Sequence, residues 1–203
     1  MPKPVPLQYG KYYHIFNRGN NQENIFIEER NYRYFLRLYA KHIMPVSDTY
    51  AYCLLRNHFH FLVRIKTVEE QELTGLQDLS ALPRKPSQQF SNLFNAYAKA
   101  FNKTYHRTGT LFQRPFGRIE VSSDSYFMQL VTYIHQNPQK HGFVNDFRTW
   151  PYSSYQALLS TKPTRLQRDD VLTWFQGVDH FEDVHRYEVD ERKIAPLVPD
   201  DFD

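Results

Sequence analysis

Alternating apolar and polar positions predict strands in the first part of the chain. Tyr12 to Asn17 is rich in β-forming side chains and ends in the turn-forming letters Arg-Gly-Asn-Asn. Thr49 to Leu55 has the same character and turns through Arg56-Asn57 into the run 58 to 66, which predicts an antiparallel hairpin. A shorter run, Gly117 to Val121, predicts a fourth strand.

Apolar residues that recur at helical spacing predict three main helices. The segments are Asn31 to Ile43, Ser87 to Tyr105 and Ser125 to Gln136. Asn31 is suited to cap the first helix, and Pro138 lies just beyond the predicted end of the third.

The order of these elements predicts an α+β domain. Strand, helix, strand, strand, helix, strand matches the ferredoxin-like β-α-β-β-α-β plan, an antiparallel sheet with helices on one face, here followed by a C-terminal helix. We expect residues 1–160 to form this domain. The polar stretch 67–86 predicts a mobile surface segment with one short helix. Residues 161–203, with helical pieces at Asp169 to Phe175 and His180 to Tyr187, predict an appendage that packs on the domain and frays at its end.

Composition narrows the classes of function. With no apolar run near the ~20 residues that span a bilayer and no apolar signal region at its start, the chain is expected to be cytoplasmic. The net charge of +3 and the pI of about 8.8 permit nucleic-acid binding without requiring it. Cys53 is the single cysteine, which excludes an intrachain disulfide and a four-thiolate zinc site. Any metal must therefore use histidine, carboxylate or amide ligands.

His58 and His60 are the first candidates for such ligands. In an extended strand they project to one face, while Phe59, Phe61 and Val63 project to the other. Two imidazoles in this arrangement can hold one divalent ion. The pair alone is weak evidence, because histidines on a strand are often simply exposed surface residues. The rest of the chain has to decide between these interpretations.

The loop before the fourth strand mixes cations with aromatic rings. Arg107 and Arg114 lie beside Phe112 and Phe116, and Arg118 follows at the start of the strand. Such a mixture suits a DNA backbone, whose phosphates must be neutralised, and bases, which stack on rings. Charge clusters are also common on solvated surfaces, so this loop by itself leaves DNA contact open. The 15 Tyr and 16 Phe either supply further stacking surfaces or form an aromatic-rich core.

Two polar residues near the end of the third helix lie one helical turn apart. Tyr133 and Asn137 share a side of the helix if its last turn reaches Asn137. Taken separately, the simpler interpretations are a buried aromatic residue and a cap before Pro138. Taken with the histidine pair, they lie on an element that can face the strand. His135 is expected to point elsewhere, and His14 on the first strand could contact either DNA or the core.

Four local motifs follow one another along the chain. They are Tyr13-His14-Ile15-Phe16-Asn17-Arg18-Gly19-Asn20, Asn57-His58-Phe59-His60-Phe61-Leu62-Val63, Gly109-Thr110-Leu111-Phe112-Gln113-Arg114 and Tyr133-Ile134-His135-Gln136-Asn137-Pro138. With these motifs the chain resembles the single-tyrosine HUH transposases, particularly the REP-associated tyrosine transposases, over roughly residues 9 to 160. Many relatives have Met-Pro where this chain has Leu55-Arg56. That difference affects the turn before the histidines but removes no ligand.

The resemblance implies a reaction and a set of site residues. The family's HUH histidines, here His58 and His60, are metal ligands, and Asn137 lies where it places a third ligand. Tyr133 begins the family's Tyr-Ile-x-x-Asn-Pro segment and would be the nucleophile. The reaction would be metal-dependent cleavage and rejoining of single-stranded or hairpin DNA through a 5′-phosphotyrosine, with Mg²⁺ or Mn²⁺ as cofactor, by a monomer or homodimer. The residues expected to contact DNA are Arg18, Arg107, Phe112, Arg114 and Arg118.

Two other functions remain open from the sequence. A domesticated protein could bind DNA hairpins through the arginine-rich loop without cutting them. A metal hydrolase that acts on small phosphodiesters could use the same histidines, although no acidic ligand or general base has a comparable placement. The first would keep salt-dependent DNA binding and form no covalent adduct, and the second would not need Tyr133.

Overall fold

The centre of the fold is one antiparallel sheet of four strands. The computed structural model describes residues 6–74 and 84–197. The strands are β1 (Tyr12–Arg18), β2 (Ser47–Leu54), β3 (His58–Ile65) and β4 (Gly117–Val121). They lie in the order β2-β3-β1-β4, and every neighbouring pair is antiparallel. The strand that carries the two histidines is therefore an inner strand with a hydrogen-bonded neighbour on each side.

Helices lie between β1 and β2, between β3 and β4 and after β4, which confirms the predicted α+β class. They are α1 (Glu29–His42), α2 (Val68–Thr74), α3 (Pro86–Thr104), α4 (Asp124–Lys140), α5 (Tyr155–Leu159), α6 (Arg168–Trp174), α7 (Val178–Val184) and α8 (Glu191–Ile194). α2 is the short helix expected in the polar segment 67–86. The mobility predicted for that segment concerns mainly residues 75–83, which lie outside the described residues, as does the predicted frayed end at 198–203.

One face of the sheet packs against α1 and α3. Phe59 and Phe61 project from β3 to this side, as the two-residue period of a strand requires. The ring centroid of Phe59 lies 5.2 Å from that of Phe35 in α1 and 5.6 Å from that of Phe94 in α3. Tyr39 of α1 stacks on Phe61 with centroids 4.4 Å apart. This aromatic layer fixes the position of β3, so the side chains on its other face are held in a defined arrangement.

The opposite face of the sheet packs against α4. Tyr12 of β1 contacts Phe127 of α4, with ring centroids 4.6 Å apart. Trp174 of α6 lies 4.6 Å from Phe127 and stacks on Tyr50 of β2 at 4.9 Å. The helix that contains Tyr133 is therefore fixed across the face of the sheet that carries the histidine pair.

The start of α1 differs from the prediction. The residue at the N-cap is Glu28, and Asn31 occupies the third helical position. The side-chain oxygen of Asn31 accepts hydrogen bonds from the backbone amides of Ile27 and Glu28, each at 2.9 Å. Asn31 thus satisfies backbone donors from inside the first turn, as the partner residue of a capping box does. The prediction of Asn31 as the N-cap was wrong because an amide can serve either position.

The end of α4 also differs from the prediction. The helix continues through Pro138 to Lys140 instead of ending near Gln136. A proline removes a single amide donor from the helix, and the following amide of His141 still bonds the Asn137 carbonyl at 3.0 Å. Asn137 is fully buried, so tertiary packing holds the last turn in place. As a result Asn137 is helical and lies one turn after Tyr133, on the same side.

The C-terminal helices pack on the sheet and on α4. The amide of Gln167 bonds the carbonyl of Thr49 in β2 at 2.9 Å, and Leu166 forms a parallel bridge with the same residue. Phe175 and Phe181 are fully buried. Within residues 6–74 and 84–197, no helix is long and apolar enough to cross a membrane.

Candidate active site

The two histidines of β3 face α4 and are almost completely buried. His58 is 3% exposed and His60 is 1% exposed. Their ring centroids lie 5.1 Å apart with the planes nearly perpendicular, and the His60 centroid lies 5.7 Å from that of Tyr133. The interpretation of the pair as exposed surface residues is therefore excluded. The structure brings the histidines and the tyrosine together within one chain.

A hydrogen bond to the neighbouring amide determines which nitrogen of His58 carries the proton. His58 Nδ1 lies 2.7 Å from Asn57 Oδ1. An amide oxygen only accepts hydrogen bonds, so Nδ1 carries the hydrogen and Nε2 keeps its lone pair. His60 is bonded through the same ring position, because its Nδ1 lies 2.9 Å from Nε2 of His14. In both rings Nδ1 is engaged in these bonds, so a ligand would have to approach through Nε2.

Both imidazoles are held in the neutral form. Burial, reinforced by the nearby His141 and Arg18, lowers the pKa of His58 to about 3, while the amide of Asn137 acts in the opposite direction. Burial likewise lowers the pKa of His60 well below its usual value, with His58 and His14 contributing. Neutral imidazoles need not lose a proton before they bind a metal. At physiological pH both rings are therefore neutral.

Three polar atoms of this site lack the hydrogen bonds that buried groups normally make. Among the described residues, His58 Nε2, the Tyr133 hydroxyl and Asn137 Oδ1 have no hydrogen-bond partner although all three are buried. Asn137 uses its other amide atom, Nδ2, to donate to the Tyr133 carbonyl at 3.1 Å. Unsatisfied buried polar groups are rare and expensive in folded proteins. These atoms are therefore chemically available to a ligand.

The residues present fit a single small cation. A cavity of about 30 Å³, near the volume of one water molecule, is lined by His58, His60 and Arg18, and its lining does not include Asn137 or Tyr133. No group of three or more His, Cys, Asp or Glu side chains within the described ranges is placed to hold a metal. The available donor set is thus two imidazole nitrogens and the amide oxygen of Asn137, with the remaining coordination left to oxygen ligands from substrate or water.

A second, larger cavity adjoins the small one. It has a volume of about 590 Å³ and shares Asn17, Gln113 and Pro115 with the histidine cavity. Amide side chains, aromatic rings and arginines line it, a combination that can hydrogen-bond base edges, stack on bases and neutralise phosphates. The residues that supply these groups are Asn17, Asn95, Gln113, Phe94, Phe112, Phe116, Arg114 and Arg118.

Three of the arginines predicted to contact DNA lie at these cavities. Arg114 is exposed at the rim of the larger one, and Arg18 lines the smaller one. Arg118 is half-buried, with its guanidinium carbon 3.8 Å from the centroid of the Phe116 ring. A guanidinium stacked on a ring keeps its edge available for a phosphate or a base.

The other two predicted contact residues are engaged in the fold itself. Arg107 forms an ion pair with Glu23 and donates to Asn102 Oδ1 at 3.0 Å. Phe112 is 5% exposed and packs against Phe94 at a centroid distance of 5.4 Å. These contacts hold the loop in position, so a direct role of either residue in binding DNA stays a prediction.

Comparison with known proteins gives two matches. A curated protein of Haemophilus influenzae, strain Rd, whose provisional name is REP-associated tyrosine transposase, is 28% identical over 110 residues, 53% of this chain and 58% of that relative. A solved structure of a REP-associated tyrosine transposase bound to a REP hairpin covers 80% of this chain and 88% of its own, with a TM-score of 0.57 and 15% identity. The resemblance to the REP-associated tyrosine transposases is confirmed. The chain spans less than two thirds of the curated relative, and no protein-family model matches it.

The last of the four sequence motifs contains a histidine that points away from the site, as predicted. His135 is fully buried, and its Nδ1 lies 2.8 Å from Nε2 of His185, which follows α7. Its Nε2 lies 2.7 Å from the hydroxyl of Ser154. His185 Nδ1 in turn lies 2.7 Å from the carbonyl oxygen of Phe181. We refer to His135, His185 and Ser154 as the His135 network.

Two residues that contact the histidine pair are not among the predicted site residues. The sequence predicts that His14 contacts either DNA or the core, and it places Asn57 only in a turn. Strand alternation places His14 on the side of Tyr12 and Phe16, but only the pairing of β1 with β3 brings that side next to His60. Asn57 could have been found from its position beside His58, since short amides often bond adjacent groups.

Proposed function

We propose that this protein is a metal-dependent DNA strand transferase that cleaves and rejoins single-stranded or hairpin DNA through a 5′-phosphotyrosine at Tyr133. The observation that carries the proposal is the set of buried atoms without hydrogen bonds: His58 Nε2, the Tyr133 hydroxyl and Asn137 Oδ1. The name of the Haemophilus influenzae relative and the hairpin bound to the structural neighbour support it. The strand order β2-β3-β1-β4 supports the ferredoxin-like arrangement that the resemblance implies.

The chain supplies each component of a transesterification. The phenolic oxygen of Tyr133 would form a bond to phosphorus as the bond to the 3′ oxygen breaks, and the proton of the phenol would end on the released 3′ hydroxyl. A divalent ion held by His58, His60 and Asn137 would polarise the scissile phosphate. The phosphodiester energy stays in the protein–DNA bond, so attack by another 3′ hydroxyl would restore the tyrosine and rejoin the strands.

We propose that this site is complete within one chain. Tyr133 lies beside the His60 of its own β3, with ring centroids 5.7 Å apart. A tyrosine that acted on a partner's metal would have to leave this position. The arrangement supports action by a monomer, which we propose is cytoplasmic. The larger cavity would hold nucleotides next to the scissile phosphate, and Arg18, Arg114 and Arg118 would neutralise the backbone.

A covalent trapping experiment tests the proposal. The wild-type protein is incubated with a labelled DNA hairpin that carries randomised single-stranded flanks, with Mn²⁺ or EDTA, and is then denatured. We expect an adduct that depends on Mn²⁺, maps to Tyr133 and disappears in Tyr133→Phe. Tyr126→Phe is a matched control, because Tyr126 lies on the same helix and is half-buried. An adduct that persists in Tyr133→Phe would contradict the assignment of the nucleophile.

A hairpin-binding protein that does not cut DNA is the second candidate. It is favoured by the burial of the Tyr133 side chain, which is only 2% exposed in this structure. A phosphate could reach the hydroxyl only after neighbouring side chains move. Salt-dependent binding of the hairpin without an adduct in Mg²⁺ or Mn²⁺ would support this candidate over the strand transferase.

A further inference from the structure

His14 makes a direct contact with one of the two candidate metal-binding histidines. It lies on β1, is fully buried, and its Nε2 is 2.9 Å from Nδ1 of His60. The two rings are nearly parallel, with an interplanar angle of 20° and centroids 5.1 Å apart. Phe16, two residues along the same strand, packs at 4.8 Å from His14. The relative position of the two imidazoles is therefore fixed by the sheet and by packing.

The direction of this hydrogen bond determines what His60 can bind. A hydrogen bond between two neutral imidazole nitrogens contains one hydrogen. If His60 donates it, the hydrogen resides on its Nδ1 and the Nε2 atom has a lone pair. If His14 donates it, the proton of His60 resides on Nε2, which then cannot bind a cation.

The two histidines of the pair differ in this respect. His58 bonds the side-chain oxygen of Asn57, which can only accept, so its tautomer is set by the partner. His60 bonds another imidazole, which can accept or donate. The competence of His60 as a ligand therefore depends on the state of His14, and the sequence motif around the pair does not contain that residue.

We propose that His14 is a positioning residue that accepts the Nδ1 hydrogen of His60 and so holds Nε2 of His60 in the metal-binding tautomer. The link to metal binding rests on the proposed function, whereas the tautomer itself does not. Groups that fix the tautomer of a ligand histidine typically change metal affinity by about 10–100-fold when they are removed.

The tautomer can be measured in the wild-type, metal-free protein. Long-range ¹H–¹⁵N correlation spectra of the histidine rings distinguish a protonated Nδ1 from a protonated Nε2. We expect His60 to carry its proton on Nδ1, as His58 does. A His60 that is protonated on Nε2 in the metal-free protein would overturn the proposal without the use of any variant.

Two substitutions of His14 separate hydrogen bonding from packing. His14→Phe keeps a ring but removes the acceptor, and we expect Mn²⁺ affinity, measured by electron paramagnetic resonance, to fall by about 10–100-fold. His14→Gln keeps an acceptor, and we expect affinity within about 3-fold of wild type with the His60 tautomer preserved. Phe16→Leu is the packing control, because it alters the ring contacts with His14 and His60 and the lining of the small cavity but no hydrogen bond.

The outcomes separate this inference from the proposed function. The role of His14 would be overturned if His14→Phe kept the Mn²⁺ affinity of wild type. It would also be overturned if His14→Gln and Phe16→Leu lost as much Mn²⁺ affinity as His14→Phe. A wild-type protein that binds no Mn²⁺ and forms no adduct would overturn the proposed function instead. In that case the ring spectra still decide whether His14 sets the tautomer of His60.

Discussion

Two buried histidine clusters lie on different sides of α4 and differ in how completely their polar atoms are bonded. In the candidate active site, His58 Nε2 and the Tyr133 hydroxyl have no hydrogen-bond partner among the described residues. In the His135 network, both ring nitrogens of His135 and both of His185 are hydrogen-bonded. Burial is nearly complete in both clusters. The difference between them lies in their unsatisfied atoms and not in their composition.

The His135 network has one consistent arrangement of hydrogens. The Phe181 carbonyl only accepts, so His185 carries its proton on Nδ1 and accepts through Nε2 from His135. His135 then accepts at Nε2 from the Ser154 hydroxyl, which itself accepts from the amide of Tyr52. Every donor has an acceptor, so the network has no atom left for a ligand and is expected to stabilise the fold.

This comparison shows why a buried histidine pair is not by itself a sign of catalysis. Both clusters contain histidines whose pKa values burial lowers. What distinguishes the candidate site is that its polar atoms pay the desolvation penalty without a bonding partner in the protein. Substitutions in the two clusters should accordingly change different properties: chemistry in one and stability in the other.

The largest expected effect is the loss of chemistry in Tyr133→Phe. Removing the nucleophile should lower adduct formation by at least about 10³-fold. The free energy of unfolding should stay within about 1 kcal/mol of wild type, because the hydroxyl makes no hydrogen bond that is lost. Gel assays of the adduct and urea unfolding measure the two quantities. A strong loss of stability would mean that the hydroxyl has a structural partner, which would remove the contrast between the clusters.

The next effect is a loss of stability in His185→Phe. The substitution leaves the buried Nδ1–H of His135 without an acceptor, and we expect the free energy of unfolding to fall by about 2–4 kcal/mol. Adduct formation by the folded protein should change by less than about 3-fold, since His185 does not contact the histidine pair. Urea unfolding and the trapping assay, at a temperature where the variant is folded, check both. If His185→Phe lost the adduct but kept the stability of wild type, the structural role of the network would be contradicted.

Acidification should destabilise the protein through the same network. Burial lowers the pKa of His185 to about 4 and that of His135 well below its usual value. Below about pH 6.5 the unfolded chain binds protons that the native state does not, so the free energy of unfolding falls as the pH falls. From pH 7 to pH 5.5 His185 contributes about 1 kcal/mol of this fall, and His135 adds to it in the same direction.

The variant His185→Phe isolates part of this pH dependence. It lacks one of the two titrating groups, so its loss of unfolding free energy between pH 7 and pH 5.5 should be smaller than that of wild type by about 1 kcal/mol. His58 and His60 contribute in the same direction and are present in both proteins. Identical pH dependence in the two proteins would mean that His185 is not held neutral in the fold.

The smallest effect is expected for Gln136→Ala. Gln136 donates to the carbonyl oxygens of His185 and Tyr187, at 3.1 and 2.7 Å, from the partly exposed side of α4. We expect a loss of about 1 kcal/mol, because water can replace part of these bonds. Amide hydrogen exchange should accelerate around residues 185–189 and remain unchanged in β3. Faster exchange in β3 as well would indicate that the C-terminal segment also supports the candidate site.

Most of the local structure could be predicted from the chain. Strand alternation gave the bounds of β1, β3 and β4 to within a few residues, and helical spacing gave α1, α3 and α4. The misplaced ends had local causes: Asn31 caps from inside its helix, and Pro138 is tolerated in the last turn of α4. Terminal residues are the least determined by periodicity, since a side chain near a helix end can satisfy the backbone from more than one position.

The candidate site was only partly predictable. The residue types and their motif spacing pointed to His58, His60, Tyr133 and Asn137, and the structure places the pair beside Tyr133. The contact of His14 with His60 could not be predicted, because it depends on which strand pairs with β1, and strand pairing is a long-range property. The ion pair between Arg107 and Glu23 could not be predicted for the same reason, because these residues are far apart in sequence.

The sequence by itself determined the elements of this protein and the chemical groups they carry, because strand and helix periods act over a few residues. The tertiary structure alone decided which histidines are satisfied. His135 and His60 are both buried imidazoles, and their bonding partners come from distant parts of the chain. The partner of His135 is His185, which follows α7, and the partner of His60 is His14 of β1. Whether a buried polar atom has a partner depends on residues brought from elsewhere in the chain, so the contrast between a structural network and a candidate active site arises only when the chain has folded.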